Sequence, residues 1–151
     1  MTKSALTHPA ARVGAISHTD YANTGLDHVF LTGDLQKPAP HPFFRDARAE
    51  MIICTYVAGD DGRLHWHEAV DEYQIILEGR LGFLEAATGQ TRWFNAGDVS
   101  HVPAGACVRR LVPDGARTVT IKVPSRPRDK VFCSDCARHC SLRKEPFQGM
   151  A

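Results

Sequence analysis

Three side chains that commonly bind metal ions lie close together near the middle of the chain. His65 and His67 are separated by one residue, and Glu72 follows after a short spacer. Residues two apart on a β-strand project to the same face, so both imidazoles can reach one ion. Glu72 would add an oxygen ligand and a negative charge from the next strand. The spacing predicts a facial metal site with positions open to water, oxygen or a chelating substrate.

A second group of metal-binding side chains lies near the C-terminus. Cys133, Cys136 and Cys140 fall at positions i, i+3 and i+7, and His139 precedes the last of them. In a helical tail these side chains would share one face. Three thiolates and an imidazole suit a second, structural zinc ion. A redox-labile Cys-x-x-Cys pair and plain surface cysteines are the two other interpretations.

Short β-type segments must position the first group. From Met51 onward, runs such as MIICTYV, EYQIIL, RLGFLEA and TVTIKV follow one another, and no segment has the pattern of a long amphipathic helix. Turn signals separate the runs at 59–62, 78–79, 88–89, 96–98, 103–105 and 113–115. This order of elements predicts an all-β, antiparallel jelly-roll barrel.

Two glycine-bracketed motifs within this region resemble those of the cupin superfamily. The first spans Gly59–Gly79 and contains both histidines and the glutamate at the fixed positions of the family. The second spans Gly97–Gly105 and ends in the Pro-x-Gly turn of the family. Three residues after that turn, where cupins usually place a further metal-binding histidine, this chain has Val108. The resemblance therefore implies a cupin site with one customary ligand replaced.

The resemblance implies a small single-domain cupin with a conserved type-2 barrel. We expect an N-terminal arm and first strand at 1–49, the cupin jelly roll at 50–123, and a linker with a Cys-rich tail at 124–151. It also implies a homodimer and one divalent ion in the barrel, either Fe, Zn, Mn or Ni. The tail is partly similar to that of bacterial 3-hydroxyanthranilate dioxygenases, which have two Cys-x-x-Cys pairs where this chain has one pair and Cys140.

Strand alternation predicts which other side chains line the pocket. If Glu72 faces the interior, Gln74 does so too and becomes a candidate for orienting the ligand or a metal-bound water. The same alternation from Val108 makes Arg110 inward-facing, and a guanidinium in an apolar barrel requires an anionic partner such as a substrate carboxylate or phosphate. The alternative is that Arg110 lies at the barrel rim and pairs with a structural acid.

Other side chains near the motifs are expected to serve packing. His101 should point away from the pocket because its neighbour Val102 faces the core. Cys54 is expected to be a small core residue. The pattern does not decide which of Trp93 and Phe94 faces inward.

Composition restricts the class of partner. The 151 residues carry a formal net charge of +1 and are 43% hydrophobic, which is ordinary for one globular domain. Such a balance does not favour nucleic acid or a membrane surface as the partner. The chain has no apolar stretch of the roughly 20 residues that span a bilayer. Three of the five cysteines lie within the last twenty residues, which is not the distribution of a disulfide framework, so we expect a cytoplasmic protein.

These observations favour a metal-dependent enzyme that acts on a small polar or anionic substrate. Among cupin activities, dioxygenase-type chemistry is slightly favoured, and it would need iron. The alternatives within the family resemblance are a non-redox zinc or manganese cupin, either an isomerase, a lyase or an N–N bond-forming enzyme. A non-catalytic small-molecule-binding cupin whose metal site has decayed, and an interaction protein that works through its tail, are the remaining hypotheses.

Overall fold

The computed structural model describes residues 26–37 and 39–135, and the backbone of 11–13 and 16–18. The strands are β1 Ala11–Val13, β2 Ile16–His18, β3 His28–Gly33, β4 Phe44–Arg45, β5 Glu50–Tyr56, β6 His65–His67, β7 Asp71–Glu85, β8 Thr91–Asn95, β9 Val99–Val102, β10 Val108–Leu111, β11 Ala116–Val123 and β12 Lys130–Phe132. A 3₁₀ turn follows at Cys133–Asp135, and these described residues include no α-helix. The predicted all-β jelly roll is confirmed.

Strands β3 to β12 form one curled ten-stranded sheet with two layers. The first layer has the order β4-β3-β5-β11-β7, with β9 also paired to β7. The second has the order β12-β6-β10-β7, with β8 also paired to β7. Strand β7 therefore belongs to both layers, through residues 71–79 in the first and 80–85 in the second. The short strands β1 and β2 pair separately as a hairpin.

The turn predicted at 78–79 was wrong, because β7 continues through it. Gly79 has a φ of +75°, which a glycine adopts without strain. A Cβ at this position would overlap the Gly115 carbonyl oxygen. The register with β11 shifts between Arg117 and Thr118, opposite this point. A glycine and a bulge thus let one strand cross from the first layer to the second.

Alternation along β7 determines what each part of the interior contains. Glu72, Gln74 and Ile76 are buried. The residues that alternate with them are less buried, since Tyr73 and Ile75 are half-buried and Leu77 is exposed, as the sequence pattern predicts. The apolar cluster contains Ile52, Cys54, Tyr56, Ile76, Leu81, Phe83, Val102, Val108, Val112 and Ala116. Burial of each large apolar side chain stabilises the fold by about 1.5–3 kcal/mol.

The sheet extends beyond residues 50–123 on both sides. Strand β3 pairs with β5, and β12 pairs with β6. The connection before β12 is fixed by the buried Ser125, whose Oγ accepts a 2.7 Å hydrogen bond from the Asp34 amide. The segment expected to be a linker therefore packs against the sheet. In the described part of the chain, no helix has the length and hydropathy to cross a membrane.

Candidate metal centre and substrate pocket

The three predicted metal ligands lie together between the two layers of the sheet. Strand β6 of the second layer supplies His65 and His67, and the first-layer part of β7 supplies Glu72. All three are buried. The two imidazole rings are 5.5 Å apart between centroids, and His67 Nε2 lies 3.4 Å from Glu72 Oε2. The turn at 68–70 brings the carboxylate back toward the histidines.

A backbone contact orients the His65 ring. Its Nδ1–H donates a 2.8 Å hydrogen bond to the Arg63 carbonyl oxygen, which leaves the lone pair on Nε2. Burial, followed by the nearby Lys130 ammonium, lowers the pKa of His65 to about 4. The ring is therefore neutral at pH 7, which is the form that binds a metal ion.

A buried carboxylate lies behind the His67 ring. Asp129 Oδ2 is 3.5 Å from His67 Nδ1, and the Asp129 side chain is almost fully buried. The same carboxylate accepts hydrogen bonds from the amides of Ala69 and Val70, between 3.1 and 3.2 Å. Asp129 thus fixes the turn between β6 and β7. Histidine ligands commonly direct their second nitrogen to such a carboxylate.

Sequence reasoning missed Asp129. It lies far along the chain from His67, in a segment interpreted as a linker. The only local signal is the short β-type run at Lys130–Phe132 that follows it. The pairing of that run with β6 could not be read from its sequence.

Glu72 is held as a carboxylate in this buried corner. Burial by itself would raise the pKa of Glu72, but the close approach of His67 and the Lys122 ammonium hold that pKa well below its usual range. Gln74, the predicted orienting residue, donates a 2.8 Å hydrogen bond from Nε2 to Glu72 Oε1. Its own Oε1 is buried with no hydrogen-bond partner among the described residues. Gln74 therefore fixes the carboxylate and leaves one acceptor for a further donor.

The protonation and identity of these donors fit a divalent ion. His65 presents a lone pair, Glu72 presents a charge, and neither nitrogen of His67 has a hydrogen bond within the described residues. An orphaned buried imidazole is costly unless another ligand binds it. Over the same residues, no three His, Cys, Asp or Glu side chains are already arranged to hold a metal ion. Binding would therefore draw the three side chains to a common point.

Two spaces adjoin the three ligands and share part of their lining. The inner pocket has a volume of about 100 Å³ and is lined by His28, Ile52, Cys54, Tyr56, His65, Glu72, Gln74, Phe83, Arg110, Thr120, Lys122 and Lys130. The outer cavity, of about 540 Å³, lies beyond His67 and between the 34–40 loop and the 126–130 segment. Lys122 and Lys130 line both spaces.

The predicted inward position of Arg110 agrees with its place in the inner pocket, and it also has a structural acid. Its guanidinium lies 4.0 Å above the Tyr56 ring. Its Nη2 donates a 3.1 Å hydrogen bond to the Asp60 carbonyl oxygen and lies 3.9 Å from the Asp60 carboxylate. Arg110 therefore lines the inner pocket and also pairs with a structural acid, so both alternatives for this residue apply.

Comparison with solved structures identifies the architecture. The chain is similar to the DMSP lyase DddQ from Ruegeria pomeroyi, with 18% identity and a TM-score of 0.59 over 74% of this chain and 53% of the lyase. It thus spans about half the length of that lyase. A cupin superfamily protein from Desulfitobacterium hafniense matches 64% of this chain and 77% of its own, with 13% identity and a TM-score of 0.50. This chain has the cupin fold.

A double-stranded β-helix protein from Klebsiella pneumoniae gives the same result, with 13% identity and a TM-score of 0.52 over 58% of this chain and 71% of that one. No protein-family model and no curated protein sequence matches the chain. At these identities the comparisons establish the cupin fold, and the chemistry must be argued from the site.

Val108 stands where the family resemblance implies a fourth metal ligand. It pairs directly with His65 across β10 and β6, so the two side chains lie on the same face. Val108 is buried in the apolar cluster and lines a separate cavity of about 330 Å³ with Phe83 and Phe94. The replaced ligand therefore forms part of an apolar wall.

Two predictions about packing residues are confirmed, and one open choice is resolved. His101 is exposed and stacks on Tyr73 at 4.5 Å, while Val102 is buried. Phe94 packs edge-on against Phe83 inside the barrel, at 6.3 Å between ring centroids. Trp93 faces the other way, 42% exposed.

The structure describes only the beginning of the Cys-rich tail of the cupin barrel. Cys133 is half-buried, and its amide donates a 2.9 Å hydrogen bond to the Leu64 carbonyl oxygen next to β6. Cys136, His139 and Cys140 lie outside the described residues. The tail zinc site and its alternatives stay predictions.

Proposed function

We propose that this cupin is a metal-dependent enzyme that acts on a small polar or anionic substrate. His65, His67 and Glu72 would hold one divalent ion, either Fe, Zn, Mn or Ni. The observation that supports this is the orientation of the two histidines, since His65 Nδ1 bonds a carbonyl oxygen and His67 Nδ1 faces the Asp129 carboxylate. A bound ion would supply dioxygen activation or Lewis-acid polarisation of a carbonyl or hydroxyl group.

The residues around the ligands have separate roles in this proposal. Gln74 holds the Glu72 carboxylate through its amide nitrogen and offers its free oxygen to a donor on the substrate. Arg110 closes the rim of the inner pocket against Tyr56 and Asp60. Val108, buried beside His65, would put an apolar side chain next to the ligands.

The reaction class depends on the ion. Iron would support the dioxygenase-type chemistry that we favour, whereas zinc, manganese or nickel would support lyase, isomerase or N–N bond-forming chemistry. The fold shared with a DMSP lyase is compatible with the lyase alternative. A metal-free small-molecule-binding cupin is the non-catalytic alternative. The proposal includes a cytoplasmic homodimer, which light scattering at micromolar concentration would reveal as twice the mass of one chain.

Metal analysis of protein purified without added metal tests this function. We expect about one divalent ion per barrel, with its identity indicating the reaction class. His67→Ala and Glu72→Gln should each remove it, because two remaining donors hold a labile ion poorly. Cys133→Ser is the control, since it changes a possible tail ligand and leaves the barrel intact. Wild-type protein without a barrel ion, or His67→Ala protein that keeps it, would contradict the proposal.

A further inference from the structure

Three long cationic side chains line the inner pocket, and their partners differ. Arg110 lies beside the Asp60 carboxylate at 3.9 Å, and Lys122 Nζ donates to Glu50 Oε1 at 3.2 Å. Burial opposes the charged form of Lys122, but the carboxylates of Glu72 and Glu50 outweigh it and raise the pKa of this lysine. Among the described residues, no carboxylate lies within salt-bridge distance of Lys130, and the Glu72 and Glu50 carboxylates act on its charge only from farther away. Lys130 is therefore the cation of the pocket whose charge is left for a ligand.

The fold fixes Lys130 next to the candidate metal ligands. Lys130 pairs with His67 across β12 and β6, and its Nζ lies 5.9 Å from the Phe132 ring, which itself contacts the His65 ring. Asp129, immediately before it, is tied to the 68–70 turn. The strand position of Lys130 is thus fixed, and its side chain is exposed.

Lys130 is accessible to a ligand. By surface area it is exposed, yet enough protein surrounds its ammonium that desolvation, followed by the Lys122 charge, lowers its pKa. It lines both the inner pocket and the outer cavity. Its side chain therefore lies where the two spaces share their lining.

The outer cavity also carries an excess of positive charge. Each of its three acids has a cationic neighbour, in the pairs Asp34–Arg45, Glu50–Lys122 and Asp129–Arg126. Arg128, two residues before Lys130, lines the same cavity and has no ion pair among the described residues. Its φ of 61° is unusual for a residue other than glycine, and such strain concentrates at functional sites. The cavity therefore favours an anion.

The volumes of the two spaces suit two different parts of one ligand. The inner pocket, at about 100 Å³, is smaller than the ~300–1,000 Å³ typical of small-molecule sites, whereas the outer cavity of about 540 Å³ lies within that range. The inner pocket can hold one reacting end of a molecule. The remainder would lie in the outer cavity, beyond Lys130.

We propose that Lys130 binds an anionic group of the substrate, a carboxylate or a phosphate, at the junction of the inner pocket and the outer cavity. This rests on the proposed function, because it takes the inner pocket as the substrate site. It assigns the anion-binding role to Lys130 instead of Arg110, whose charge is already compensated by Asp60.

Calorimetric titration with inorganic phosphate, and separately with acetate, tests this role at constant ionic strength. Lys130→Gln should weaken binding of the preferred anion roughly tenfold or more, since it removes a charged hydrogen bond. Lys130→Arg should keep binding within about threefold, because it preserves the charge. Arg117→Gln is the matched control, because Arg117 pairs with Glu78 on the surface and lines neither space. Stronger phosphate binding would indicate a phosphorylated substrate, and stronger acetate binding a carboxylate.

Metal content measured in the same samples separates this inference from the proposed function. Lys130-dependent anion binding in a barrel without metal would support the role of Lys130 and contradict the metal-dependent enzyme. A metal-loaded barrel in which Lys130→Gln binds both anions as tightly as the wild type would overturn the role of Lys130 alone. Wild-type protein that binds neither anion would also overturn it.

Discussion

The two parts of strand β7 place opposite kinds of side chain inside the same barrel. Residues 71–74 bring the polar Glu72 and Gln74 to the interior, whereas 76–83 bring the apolar Ile76, Leu81 and Phe83. The polar groups are bound to neighbours, including Gln74 to Glu72 at 2.8 Å. The apolar part packs among other hydrophobic side chains. One strand thus carries a polar half, whose burial costs stability, and an apolar half, whose burial offsets that cost.

The largest expected effect is on stability, from the apolar half. Leu81 is completely buried, so Leu81→Ala should lower the free energy of unfolding by about 2–5 kcal/mol. Urea denaturation followed by circular dichroism would measure it. Leu77→Ala is the control, since Leu77 is 43% exposed on the same strand and should cost less than about 1 kcal/mol. Metal content per folded molecule should stay constant, and a fall would show that the two halves are coupled.

The next effect concerns the polar half and the carboxylate behind it. Asp129→Asn should weaken divalent-metal affinity by about 10–100-fold, because His67 loses the carboxylate that orients its ring. Competition with a chromogenic chelator would measure the affinity. Asp46→Asn serves as the control, since Asp46 pairs with Arg48 on the surface. Unchanged metal affinity in Asp129→Asn would limit Asp129 to holding the 68–70 turn.

A third variant lies on β10, where Val108 pairs with His65 of β6 on one side and with Glu85 of β7 on the other. Val108→His should increase metal affinity about tenfold and reduce turnover, because the new imidazole lies beside His65 and fills a position that substrate or oxygen needs. It should also reduce the free energy of unfolding by about 1–3 kcal/mol, since it puts a polar group into the apolar cluster. Val108→Leu controls for size. A rise in both occupancy and turnover would contradict the need for an open position, and no bound metal would contradict the barrel site.

The smallest effect tests how open the inner pocket, which Cys54 lines, is to solvent. Burial raises the pKa of the Cys54 thiol above its value in the unfolded chain, so the folded protein keeps this proton to a higher pH. The free energy of unfolding therefore falls as the pH rises from the unfolded pKa to the raised folded pKa. Iodoacetamide at pH 8 should therefore modify Cys54 more slowly than the half-buried Cys107, as measured by peptide mass spectrometry. Equal rates would show that the reagent enters the inner pocket freely.

Much of the candidate site could be predicted from the sequence because its residues are local in the chain. His65, His67 and Glu72 lie on adjoining strands, so spacing and alternation sufficed to place them together. The same rule placed Gln74 inside. The turn prediction failed at 78–79, because a glycine preceding a charged residue is typical both of a turn and of a bulge within a continuous strand.

The sequence by itself determined the periodicity, the glycine-bracketed motifs and the absence of a histidine at position 108, because these are properties of neighbouring residues. Only the tertiary structure showed that Asp129 lies behind His67 and that Lys130 reaches the pocket. Both depend on the pairing of β12 with β6, which joins residues about sixty positions apart. Such pairing is selected by burial and hydrogen bonding over the whole sheet, and no local pattern at residues 129–132 specifies it.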